Sequence, residues 1–190
     1  MIPFHAVPDR LEKHRTALVV VDIQERFRGL IHDQDRLLRA TSRLLRSFRE
    51  LDLPVLVTEH YSKGLGVTMP EVRADLGGIE PIEKIHFSCD GSPDFRAAVD
   101  GLNRDQIVIC GIETLVCIYQ TARDLMDRGK QVAVAADAVS SQKATDRQIG
   151  LEHMRRIGVQ VMNVEMILFE ILREAKTADF KAIAPFLKEG

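Results

Sequence analysis

Short runs of β-branched and other apolar residues alternate along the chain with longer stretches in which apolar residues recur at helical spacing. Ala17 to Val21, Pro54 to Thr58, Gln106 to Cys110, Gln131 to Ala136 and Val159 to Met162 read as strands, and a weaker one is expected near Lys84 to Phe87. Their near-continuous apolarity suits a sheet covered on both faces. Between them, Leu37, Leu38, Leu44, Leu45, Phe48 and Leu51 fall at helical spacing. A helix from about Thr114 is expected to stop at Gly129, and another to run from Thr145, as N-cap, to Gly158. Thr177 to Gly190 reads as a short terminal helix, with Phe180, Ile183 and Leu187 on a face suited to a neighbouring subunit.

This alternation predicts an α/β fold, a three-layer α/β/α sandwich around a Rossmann-like, six-stranded, mostly parallel sheet with right-handed crossovers. Ligands of such sheets bind beyond the carboxyl ends of the strands. The residues to inspect are therefore Asp22, Glu59, His60, the Gly111-Ile-Glu-Thr114 turn and Asp137. The connection from His60 to Pro81 carries Gly64, Gly66, Gly77 and Gly78 and is the candidate lid over a pocket.

A length of 190 residues favours one domain spanning residues 1–190. With 26 Lys and Arg against 28 Asp and Glu, the net charge of −2 offers no basic excess for nucleic acid or an anionic membrane, so a small-molecule partner is expected. No apolar run approaches the roughly 20 residues of a spanning helix. Residues 1–11 lack the apolar stretch of a signal peptide, and a cytoplasmic location is expected. Cys89, Cys110 and Cys117 are odd in number and lack CxxC spacing, which implies at least one free thiol. Cys110 reads as packing, and Cys89, after Ser88, as part of an exposed polar loop. His5, His14, His32, His86 and His153 show no paired spacing and read as surface or packing residues. Arg36, Arg39, Arg43 and Arg46 read as a solvated helix face. Asp22-Ile-Gln24 stands where a dinucleotide-binding glycine turn would be, which disfavours nucleotide binding.

Three residues could carry chemistry. Cys117 lies three residues into the helix expected after the fourth strand, where unpaired N–H groups and the helix dipole lower a thiol's pKa and can hold an oxyanion. Between Val116 and Ile118 it reads equally well as a small buried hydrophobe. Asp22 closes an apolar strand, where a partly desolvated carboxylate suits a proton acceptor, or simply a cap or ion-pair residue. Lys84 could pair with such a carboxylate; alone it reads as surface.

Asp22-Ile-Gln24 with Phe27, Lys84-x-x-Phe87-Ser88, and Cys110-Gly-Ile-Glu-Thr-x-x-Cys117 occur in the order and spacing of the isochorismatase-like cysteine hydrolases, and the chain resembles that superfamily from about Ala17 to Met166. Thr58-Glu-His-Tyr-Ser-Lys-Gly-Leu-Gly66 is similar to the subgroup of isochorismatase domain-containing proteins. The resemblance implies a triad of Asp22 as general base, Lys84 as electrostatic partner and Cys117 as nucleophile. It also implies a cis peptide between Ile112 and Glu113 and a strand order of 3-2-1-4-5-6. The helix-start N–H groups of Val116 and Cys117 would hold the oxyanion, and Phe27, His60, Tyr61, Ile112 and Glu113 would line the pocket. The expected activity is hydrolysis of a small amide, carbamoyl or imide compound through a thioester, by a homo-oligomer. The metal-ligating histidines of nicotinamidase-like members are missing, since Glu59-His60 is followed by no histidine before His86, so neither metal nor other cofactor is expected. Two further readings stay open. One is non-covalent hydrolysis in which Cys117 fills space, and the other is a catalytically silent binding or interaction module.

Overall fold

Strand β1 (Thr16–Val21) is buried along its whole length, because each of its two faces meets a different layer of helices. Leu18 and Val20 pack on one side and Ala17, Val19 and Val21 on the other, which is how an unbroken apolar run satisfies a doubly covered sheet. The computed structural model describes residues 8–188; His5, most of the segment read for a signal peptide, and the last two residues of the expected terminal helix lie outside them.

The remaining strands are β2 (Val55–His60), β3 (Ile82–Lys84), β4 (Gln106–Ile112), β5 (Gln131–Ser140) and β6 (Gln160–Met162). They form one fully parallel sheet in the order β3-β2-β1-β4-β5-β6. The order reverses direction between β1 and β4, and the crevice at their carboxyl ends is where such sheets bind ligands. The helices are α1 (Gln34–Glu50), α2 (Ser62–Leu65), α3 (Pro70–Arg73), α4 (Pro93–Gly101), α5 (Tyr119–Asp127), α6 (Ala144–Arg156), α7 (Val164–Leu172) and α8 (Ala178–Leu187). Leu44, Leu45 and Phe48 of α1, with α7 and Ile183 of α8, cover one face of the sheet. Phe95 and Val99 of α4, Ala122 and Leu125 of α5, and Leu151 and Met154 of α6 cover the other.

Several expectations are corrected. The third strand lies earlier than Lys84 to Phe87: it pairs Ile82, Glu83 and Lys84 with Thr58, Glu59 and His60, and beyond Lys84 the chain turns outward and exposes Ile85 and Phe87. The segment from Thr114 opens as a π turn over Thr114–Ile118 before α5 begins. Lys143, in extended backbone, occupies the cap position of α6, and Thr145 sits inside its first turn. Thr177 does cap α8, its hydroxyl accepting the Phe180 N–H, but the face carrying Phe180, Ile183 and Leu187 is spent on the chain's own core. Arg36 and Arg43 do not form a purely solvated face. Arg36 donates to the Asp137 carbonyl, and the Arg43 guanidinium lies 3.6 Å from the Asp137 carboxylate. Asp137 itself falls inside β5 and accepts the Val164 N–H at 2.9 Å.

The His60-to-Pro81 connection is fastened along its first half. Val67 O accepts the Glu25 N–H at 3.0 Å, and the Met69 N–H donates to Ile23 O at 2.8 Å. The buried Glu59 carboxylate accepts both the N–H and the hydroxyl of Thr68, at 2.6 and 2.7 Å. This segment forms a strapped wall of the crevice, with Leu65 facing it.

Candidate active site

Asp22 takes the first position after β1 in a left-handed backbone conformation, φ 53°, with its N–H donating to Thr58 O at 3.1 Å. That conformation is uncommon for any residue but glycine, asparagine and aspartate. Its carboxylate is fixed on both sides. Oδ1 accepts the Thr58 hydroxyl at 2.7 Å, and Oδ2 lies 2.6 Å from Lys84 Nζ. The pair is sealed from solvent, with side-chain exposures of 2% for Asp22 and 0% for Lys84. Lys84 Nζ also donates to the carbonyls of His86 at 3.1 Å and Phe87 at 3.4 Å, so its three donors have three oxygen acceptors. Burial alone pulls the ammonium's pKa down, but Asp22 and the two nearby cysteines outweigh it and hold the group above its ordinary value.

Cys117 enters from the other side of the switch point. Gly111, at φ 122°, lets β4 pass β1 closely; a Cβ there would lie 2.0 Å from Val21 O. The peptide from Ile112 to Glu113 is cis, and the π turn that follows places Cys117 beside Asp22. The Thr114 N–H donates to Ser141 Oγ, and the Glu113 carboxylate accepts from the backbone and side-chain nitrogens of Gln142, both at 3.1 Å. These bonds tie the turn to the end of β5. The Val116 N–H donates to Glu113 O at 3.0 Å, so of the two expected oxyanion donors it is already engaged.

The thiol's resting state differs from the helix-start expectation. Burial pushes the Cys117 pKa far above the ordinary thiol value, the Asp22 charge and a hydrogen bond to that carboxylate push the same way, and Lys84 only partly opposes them. The anion responsible is delivered by β1, far away in sequence, and nothing in the segment around Cys117 signals it. Cys89 is also corrected: it is fully buried behind the pair, 3.7 Å from Thr58 Oγ1, with its N–H donating to Thr121 Oγ1. Burial raises its thiol to about 12, as it does for Cys110. All three cysteines are unpaired.

Asp22 and Cys117 stand at the wall of a cavity of about 320 Å³, completed by Phe27, His60, Leu65, Phe87, Ile112, Glu113 and Val116. The His60 and Phe87 rings stack with centroids 5.7 Å apart and an interplanar angle of 12°. Burial, then the neighbouring Lys84 charge, lowers the pKa of His60 and keeps it neutral near pH 7. Phe27, His60, Ile112, Glu113 and Val116 thus reach the cavity from their expected positions. Tyr61 does not. It is 52% exposed, with its backbone at φ 41° and its ring laid over Gly64. Leu65, Gln24, Thr58 and Phe87 are the site residues that strand-end reasoning did not single out. All four stood inside motifs that carry the family resemblance, Thr58 and Leu65 in the run from Thr58 to Gly66, but nothing in those motifs marked them as site residues. Among the described residues, no group of three or more His, Cys, Asp and Glu side chains is arranged to hold a metal ion.

The family model of the isochorismatase domain matches residues 16–166, which include every residue of this cavity. Mouse isochorismatase domain-containing protein 2A is 38% identical over 181 residues, covering 95% of this chain and 86% of the relative. The structure of MAR1 ribonuclease from Caenorhabditis elegans superposes with a TM-score of 0.89 at 30% identity, covering 94% of this chain and 92% of that one. The YcaC gene product of Escherichia coli, described as an octameric hydrolase of unknown specificity, shares the architecture at a TM-score of 0.89 and 24% identity, over 97% of this chain and 92% of that one. Taken with the parallel sheet, its strand order and the crevice at its switch point, these matches establish that the chain belongs to the isochorismatase family of hydrolases.

Proposed function

We propose that this hydrolase cleaves a small amide, carbamoyl or imide compound through a thioester on Cys117, with Asp22 as the proton carrier and Lys84 as its fixed counter-charge. The observation that carries the reading is the sealed 2.6 Å contact between Lys84 and Asp22 directly beside a cysteine that lines a cavity. A packing cysteine has no use for an ion pair buried against it, and such a pair is costly to desolvate.

The resting thiol is protonated, so attack and proton transfer are coupled. As the substrate carbonyl carbon approaches, Asp22 takes the Cys117 proton and the sulfur–carbon bond forms. The carbonyl π pair moves onto oxygen, which the Cys117 N–H receives. The intermediate collapses, the carbon–nitrogen bond breaks, and Asp22 gives its proton to the departing nitrogen, releasing a neutral amine or ammonia. Asp22 then takes a proton from water as the water oxygen attacks the thioester. Collapse expels the sulfur, which recovers the proton from Asp22. Lys84 stays an ammonium throughout, held above its ordinary pKa by the Asp22 charge, and remains the fixed counter-charge between transfers.

The three unpaired thiols support a cytoplasmic setting for this chemistry, and self-association belongs to the same reading. The ribonuclease name of the C. elegans relative is said of that protein; a phosphodiester finds two carboxylates and no uncommitted lysine or arginine in this wall.

Incubating the native chain with a panel of amides and weighing the intact protein tests the reading. An acyl adduct that disappears with time and is absent from Cys117→Ala is the expected result, with turnover of the variant down at least about 1,000-fold. Turnover by Cys117→Ala within a few-fold of native would leave only non-covalent hydrolysis, and no turnover or adduct with any amide would leave a binding module.

A further inference from the structure

We infer that the cavity selects uncharged acyl groups with an apolar tail and rejects those that carry a carboxylate. This inference rests on the reading of the cavity as the substrate site and narrows the substrate class.

Five of its nine lining residues, Phe27, Leu65, Phe87, Ile112 and Val116, offer only hydrocarbon or ring surface. The other side chains that could meet a charged substrate are already committed. The Glu113 carboxylate accepts two hydrogen bonds from Gln142, and Asp22 is held by Thr58 and Lys84. His60 is kept neutral by burial and by Lys84. Lys84, the cation nearest the cavity, lies beneath Asp22 with its three donors on Asp22, His86 and Phe87 and no exposed side-chain surface. Among the described residues no lysine or arginine lines the cavity.

A substrate carboxylate would therefore leave water for a wall that contains two carboxylates and provides no free cation, and nothing there repays its lost hydration. An alkyl or aryl tail gains from the same wall by burial of apolar area. At about 320 Å³ the cavity lies at the lower end of the range for small-molecule sites, which favours compact acyl groups.

Matched pairs test this directly. Butanamide and succinamic acid have similar length and differ in a terminal methyl against a carboxylate, as do hexanamide and adipamic acid. Binding to Cys117→Ala, which cannot form the thioester, is measured by calorimetry at pH 7.5, and turnover of each compound by the native chain is measured alongside. The neutral member of each pair is expected to bind about 100-fold more tightly than its acid. Leu65→Arg, which adds a cation to the wall, is expected to narrow that ratio at least about tenfold. Equal binding, preference for the acids, or binding of neither member overturns the inference. Selective binding without an acyl adduct on the native chain would sink the thioester and leave the inference standing, whereas adducts formed equally fast from both members would do the reverse.

Discussion

Gln24 grips His60 by both ends of the same residue's backbone: its Oε1 accepts the His60 N–H at 2.8 Å, and its Nε2 donates to the His60 carbonyl at 3.1 Å. The same Nε2 donates to Gly66 O at 2.6 Å. One fully buried amide from the end of β1 thus fixes the end of β2 and the strap that carries Leu65. Gln24→Ala strands one N–H and two carbonyls, and the expected loss is about 2–3 kcal/mol in urea unfolding. Because His60 and Leu65 line the cavity, KM for any substrate should rise more than kcat falls. A variant with native stability and native KM would show that the clamp is unimportant.

Asp22→Asn separates the reactivity of the thiol from turnover. In the native chain Cys117 is held protonated, so alkylation by iodoacetamide is slow at pH 7 and accelerates steadily as the pH rises. The substitution removes the negative charge that raises the thiol pKa and leaves the Lys84 ammonium, which lowers it. Labelling at pH 7 should then be about tenfold faster or more, while hydrolysis, deprived of the proton carrier proposed above, is expected to be lost. Slower or unchanged labelling would mean that Asp22 does not control the sulfur.

Lys84→Met leaves the Asp22 carboxylate buried with no cation and only the Thr58 hydroxyl and the Cys117 thiol as partners. Breaking a buried pair from one side costs about 3–5 kcal/mol. The double variant Asp22→Asn with Lys84→Met, which removes both charges, should recover much of that loss. The test is a double-mutant cycle by urea unfolding, and additive effects of the two changes would argue against a direct coupling.

Gly111→Ala asks a backbone at φ 122° to accept a Cβ 2.0 Å from Val21 O. The contact is with main chain of the adjacent strand, so no side-chain rotation relieves it. A loss of at least about 2 kcal/mol is expected, read as a lower urea midpoint at unchanged slope. Activity should fall beyond what the unfolded fraction explains, since Val21 directly precedes Asp22.

The central strands were legible because a sheet covered on both faces demands unbroken apolar runs, and the runs around Val19 and Ile109 have no other good use. β3 was misplaced because a three-residue edge strand with Glu83 in its middle needs only one partner and little apolarity. The motifs carrying Asp22, Lys84 and Cys117 could be read in the sequence, but the electrostatics of the thiol could not: its dominant neighbours stand 95 and 33 positions away in sequence, at Asp22 and Lys84. Cys89 reads as exposed because it follows Ser88 in a polar stretch. Asp90 is in fact held inward by Arg128 and Ser88 caps the turn, which carries the sulfur into the core. Tyr61 and Leu65 show the same limit from opposite sides, since a strap's handedness decides which of its side chains faces inward.

The ammonium that balances the site is the last residue of β3, the margin of the sheet, which is hydrogen-bonded to β2 alone. Margins fray more readily than interiors. If that short ribbon peels away while the other five strands persist, carboxylate and sulfur keep their places but lose the cation beside the carboxylate. Mild denaturant should then silence the protein while its spectroscopic signature of helix and sheet is still nearly intact.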